Sequence, residues 1–165
     1  MNYTVLAVGL IVMIAVYTFG IVYVMSKNPI WCIFMYPRSL QAAYYKQQHY
    51  IPSLSQSKTV LLKKAVLLAF VIAIMTILIA LAEASTKEAI IAAYVIWFIL
   101  VWWDFAVVDC IFFARKKELR LPGTEEMDEE YASKWFHFVR AIKGTVLGAF
   151  VALAVGACVH FLAVV

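Results

Sequence analysis

Residues 90–114, IIAAYVIWFILVWWDFAVVDCIFFA, form one long apolar run that nevertheless carries two acids, Asp104 in its interior and Asp109 five residues later. About 20 apolar residues in helical form cross a bilayer's hydrocarbon core, so a run of this length predicts a tilted transmembrane helix. At about 1.5 Å per residue, Asp104 lies roughly 16 Å above Arg115, close to the midplane of a core about 30 Å thick. A carboxylate at that depth costs at least ~2.5–3.5 kcal/mol, so it should face other protein groups or a polar cavity. Asp104 is the residue that any functional reading has to explain.

Three further apolar blocks accompany this run. They raise the hydrophobic content of the 165-residue chain to 65%, where a soluble domain is roughly half apolar. The expected fold is therefore all-α: a four-transmembrane-helix antiparallel bundle in a single domain, 1–165, with spans at 5–25, 65–82, 89–114 and 144–165. The first block lacks a basic n-region and an A-x-A site, which predicts a retained helix rather than a secretory leader. The short turn EASTKE at 83–88 makes the second and third helices antiparallel neighbours.

The two other connections are long. Pro29, Pro37 and Pro52 punctuate the first. Between Pro37 and Tyr50 the pattern predicts an amphipathic helix lying in the membrane interface, with Leu40, Tyr44 and Tyr45 toward lipid. In the other, Pro122–Gly123 breaks the chain and Thr124 reads as an N-cap. Glu125, Glu126, Asp128 and Glu129 would then fill the first turns, where acids suit the helix dipole. That helix is expected to start near 124 and to run unbroken into the fourth span. There Gly144, Gly148, Ala152 and Gly156 recur every four residues, a ridge of small side chains on which another helix can pack closely.

Charge sets the orientation. Of 14 Lys and Arg residues, only Lys87 falls outside the two long connections and their flanks. The positive-inside rule then places both connections in the cytoplasm and both termini outside, in a multi-pass plasma-membrane protein. The net charge of +4 reflects this loop clustering and does not signal nucleic acid. The expected partners are the bilayer itself, a second copy of the chain, and a lipid or small-molecule ligand. Cys32, Cys110 and Cys158 show no C-x-x-C spacing, and no cofactor is indicated.

This orientation gathers ionisable groups toward one leaflet. Asp109 sits near the cytoplasmic end of the third helix, and His137, Arg140 and Lys143 at the cytoplasmic end of the fourth. His137 and Arg140, three apart, share a helix face. Asp104 and Asp109, five apart, fall about 140° from one another on an α-helix and should point to different neighbours. Three readings compete. The acids pair with Arg140 or Lys143 as structural glue; or the groups line an inward-facing site that binds or transports a small charged or amphipathic solute. In the third, Asp109, Glu126 and His137 hold a metal or do acid–base work on a lipid-like substrate, although no H-E-x-x-H spacing is present.

The segment from Trp103 to Gly148, with W-D, V-D, a basic turn, PGTEEMDEEY, W-F-H and a glycine-spaced helix, resembles a group of uncharacterised small bacterial four-helix integral membrane proteins. The resemblance covers the C-terminal third. It implies a bacterial inner membrane and draws attention to Asp104, Asp109, Pro122, Gly123, Glu126 and His137, but supplies no activity. The functional expectation is thus binding or transport at a polar site near the cytoplasmic leaflet. A membrane-embedded enzyme and a structural subunit of a membrane complex are the alternatives.

Overall fold

A computed structural model describes residues 1–49 and 54–164. Tyr50 and Pro52, and Val165 at the end of the expected fourth span, lie outside the described residues. All regular structure among the described residues is helical. The long helices are α1 (Tyr3–Lys27), α3 (Leu54–Leu81), α4 (Thr86–Trp103) and α6 (Lys134–Val164); the short ones are α2 (Arg38–Gln47) and α5 (Asp128–Tyr131). A π-helical segment, Asp104–Phe113, continues α4. Four stretches are long and apolar enough to cross a membrane: Tyr3–Lys27, Lys58–Leu81, Thr86–Phe113, and Asp128–Val164, which includes α6.

Local chemistry fixes the ends. The Asn2 side chain accepts from the Thr4 and Val5 amides at 3.1 and 3.3 Å, satisfying two of the donors that open α1. Ser85 donates its amide and hydroxyl to Glu88 Oε2 at 2.8 and 2.9 Å as α4 begins. Between α3 and α4 the chain reverses within residues 82–85, and the Asn2 amide donates to the Ala82 carbonyl beside that turn.

Two apolar clusters hold the helices together. The first joins Met75 and Ile79 of α3, Ala89, Ala92, Ala93 and Ile96 of α4, and Val151, Ala152, Val155 and Val159 of α6, with Leu6, Leu10 and Met13 of α1 packed on it. The second, among the long connections, joins Met25, Cys32, Ile33, Tyr36, Leu40, Phe113, Leu119, Leu121 and Tyr131. Large apolar side chains also cover the outward faces of the long helices, Ile11, Phe19, Phe70, Ile91 and Phe150 among them.

The small-residue ridge of α6 meets α4. Val101 lies 3.2 Å from where a Gly144 side chain would begin, the Trp97 ring covers Gly148, and Ile90 covers Gly156. The Trp97 indole N–H also donates to the Gly144 carbonyl at 2.8 Å. These close approaches fix α4 against α6 by shape, with one hydrogen bond to set the register.

Three local expectations are overturned among the connections. Leu40 of α2 points into the second cluster and is fully buried instead of facing lipid; Tyr44 and Tyr45 pack on the same cluster. Thr124 is not an N-cap: its hydroxyl donates to the Leu121 carbonyl at 2.9 Å and lies 2.7 Å from the Tyr131 hydroxyl. Nor does one helix run from near 124 into the fourth span. The α5 turn ends at Tyr131, and α6 starts afresh at Lys134. The reason is common to all three: the two connections fold on each other. Tyr36 donates to the Leu119 carbonyl at 2.5 Å and Gln47 donates to the Gly123 carbonyl, while within the second connection the Leu121 amide donates to the Tyr131 hydroxyl at 2.8 Å. Gly123 has φ +80°, and a side chain there would strike Gln47.

Candidate functional site

Between the two apolar clusters lies a polar layer, and each of three helices contributes to it at that height. On α1, Tyr17 comes after Met13 of the first cluster and before Met25 of the second; on the α4–π run, Asp104 and Asp109 come between Ile96 and Phe113. On α6, His137 and Arg140 come between the start of the helix and Val151. The layer is mostly enclosed. Side-chain exposure is 2% for His137, 4% for Asp109, 17% for Asp104 and 29% for Arg140.

Arg140 is its centre. One guanidinium nitrogen donates to Asp104 Oδ2 at 2.8 Å and to both Asp109 oxygens at 3.2 and 3.1 Å. The other donates to the Met35 carbonyl at 3.1 Å. The Tyr17 hydroxyl donates to Asp104 Oδ1 at 2.5 Å. All four carboxylate oxygens are therefore engaged. Charge-assisted bonds of this kind are the strong ones, and a low-dielectric setting makes their completion matter more.

That both acids reach one guanidinium corrects the expectation that they diverge. The 140° separation holds for an α-helix, whereas Asp104–Phe113 is wound as a π-helix. A π turn closes i→i+5, so residues five apart come to lie over one another. Asp104 and Asp109 are such a pair, one π turn apart on the face toward α6.

His137 is the unusual member. Its Nδ1 lies 3.0 Å from Asp109 Oδ2, but the ring is turned so that neither this nor Nε2 makes a hydrogen bond, and both nitrogens are shut off from solvent. Phe113 and Phe136 flank the ring at 5.1 Å. Most buried polar atoms find a partner, so an imidazole with two idle nitrogens beside a carboxylate stands out.

The other candidates fall away from this layer. Lys143 is exposed on α6, and Glu126 is exposed in the connection before α5, away from Asp109 and His137. Among the described residues no three His, Cys, Asp or Glu side chains converge as metal ligands would, so the set Asp109, Glu126 and His137 is not assembled. Gly144, Gly148, Ala152 and Gly156 serve the α4 contact described above. A shallow surface depression of about 240 Å³, between Pro37, Ser39, Glu129, Glu130 and Ser133, shares no residue with the layer.

Tyr17 was missed from sequence. The signal was present: Tyr17 and Thr18 are adjacent hydroxyls inside an otherwise apolar block. Tyr17 lies about 15 Å along its helix from Lys27, close to the spacing of Asp104 from Arg115. Thr18 is used as well, accepting from the Trp103 indole N–H at 3.0 Å. Outside the long helices, the surroundings shift several groups of the connections, Tyr36 and Glu125 among them. Burial pushes the Tyr36 phenol up, and the Gly123 amide beside Glu125 holds that carboxyl below its ordinary range.

Compared with known proteins, the chain matches no family model, no curated protein and no solved structure. The chemistry of the site has to be read from its own side chains.

Proposed function

We propose that this chain is a multi-pass integral membrane protein that binds or transports a small charged solute at the Asp104–Arg140–Asp109 layer. The four apolar helices form an antiparallel bundle in the membrane, with both long connections cytoplasmic and both termini outside. The apolar outward faces of the long helices support the insertion. The clustering of positive charge in the long connections supports the orientation.

One observation carries the functional part. Two carboxylates converge on a single guanidinium, which leaves the layer one negative charge in excess when all three groups are ionised and His137 is neutral. Ionisable groups at such a depth are expensive and mark ion or proton pathways. A purely structural pairing needs only one acid for one base. The test is flux into proteoliposomes under imposed proton, sodium and potassium gradients, each read with a dye selective for that ion. Wild-type protein should carry one of these ions and Asp104→Asn should not, while remaining folded; wild-type vesicles that pass none of them would sink the transport reading.

A structural role is the second reading, favoured by the Arg140 bond to the Met35 carbonyl. Through it one side chain ties the first connection, the π segment and α6 together. In that case Asp109→Asn lowers thermal stability and no gradient produces flux.

A further inference from the structure

Resting on the proposal that the polar layer is a functional site, we infer that the species it takes up is a proton, received on the His137 imidazole and held against Asp109. The layer's donor set decides between a proton and a metal cation. Both oxygens of Asp109 and Oδ2 of Asp104 accept from Arg140, and Oδ1 of Asp104 accepts from Tyr17. A hard cation would have to share these same oxygens with the Arg140 charge and the Tyr17 hydroxyl. Neither buried ring nitrogen of His137 makes a hydrogen bond, and in the neutral ring one of the two carries a free lone pair. An imidazole in that state is a base.

The charge count points the same way. Asp104, Asp109 and Arg140 with a neutral His137 leave one uncompensated negative charge, and one proton on His137 removes it. A proton arrives from water, joins a ring nitrogen, and breaks no other bond. The imidazolium then carries two N–H donors, and Nδ1 is already 3.0 Å from Asp109 Oδ2, so a small ring rotation completes an ion pair. Arg140, now sharing Asp109 with a second cation, is left to bind Asp104 more closely.

The groups around His137 are consistent with this assignment. From the π segment it meets Asp109, with Asp104 one turn beyond. From its own helix Arg140 lies three residues after it and the exposed Lys134 three before, and from α1 Tyr17 lies behind Asp104. The ring edge toward the connections faces Phe113, behind which stand the hydroxyl-bonded Tyr36 and Tyr131. Of the two bases, Arg140 is the one in the layer, and its guanidinium is held on the carboxylates.

The experiment follows the His137 ring by nitrogen NMR in full-length protein in lipid nanodiscs, with infrared detection of carboxyl groups, across about pH 5 to 8. His49 and His160, both exposed, serve as internal references. The expected result is uptake of one proton per chain at His137. Asp109→Asn should weaken that uptake by about tenfold or more, because the opposite charge beside the imidazolium is lost, and Lys143→Ala should leave it unchanged. A His137 ring that keeps one protonation state throughout, in wild-type protein, overturns the inference; so does uptake of the proton by a carboxyl group instead. The flux assay is independent. Titration of His137 without flux supports proton binding while removing the transport reading, and flux with His137 silent does the reverse.

Discussion

At the scale of single residues, Arg140 carries the most consequence. Removing it leaves Asp104 and Asp109 facing one another with no base between them, and breaking a buried pair in this way typically costs about 3–5 kcal/mol. Arg140 keeps 29% of its side chain exposed, so the lower end of that range applies. Arg140→Met should therefore reduce thermal stability strongly in detergent, and Asp109→Asn in the same protein should restore part of it. A double-mutant cycle across the two positions should show coupling well above the scatter of independent sites; additive losses would mean that the ion pair does not hold the layer. Lys143→Ala, one turn away but exposed, is the control and should stay within about 0.5 kcal/mol of wild type. The sequence makes Asp104, Asp109, His137 and Arg140 conspicuous because ionisable side chains in apolar helices are rare. Spacing also favours Arg140 over Lys143, because Arg140 lies four residues before Gly144 and so continues the small-residue ridge, while Lys143 is off it and exposed. Tyr17 escapes, because a tyrosine in a membrane helix is common, and its role exists only through a partner 87 positions along the chain.

At the scale of elements, the gap between sequence and structure is widest in the π segment. Hydropathy and spacing identify a helix over 90–114, but they do not report whether its turns close at i→i+4 or i→i+5. Here the π winding brings Asp104 and Asp109, five residues apart, onto one guanidinium. The α6 ridge is the opposite case, legible because small residues every four positions mean close approach wherever they occur. Its contact with α4 gives a direct comparison of two glycines. Gly20 has open space where a side chain would go, whereas the Trp97 ring fills that space at Gly148. Gly20→Ala should be neutral or stabilise by up to about 1 kcal/mol, through the usual helical advantage of alanine. Gly148→Ala should destabilise by about 1–3 kcal/mol, as overpacking does, because Trp97 is anchored by its bond to the Gly144 carbonyl and cannot swing aside freely. Equal effects of the two substitutions on the midpoint of thermal unfolding would contradict the close packing of α4 on α6.

At the scale of the whole molecule, the arrangement is two apolar clusters with a charged layer between them, and the second cluster is built from the connections themselves. This is why Leu40 and Thr124, whose local patterns suggest a lipid-facing residue and a helix cap, are both buried: each connection supplies the cover for the other. Gln47 of the first connection bonds Gly123 of the second, so in the proposed membrane arrangement both connections share one side, independently of the positive-inside rule. Which side that is belongs to the proposed orientation, for which the clustered positive charge is the support. Lys117 is exposed in the second connection and Lys87 is exposed beside the short turn at the other end. With the three native cysteines replaced by alanine, Lys117→Cys should resist a membrane-impermeant maleimide in intact cells and react once they are permeabilised. Lys87→Cys should react in intact cells. The reverse pattern would turn the protein over and place the polar layer nearer the outer leaflet, and with it the side from which His137 would draw its proton.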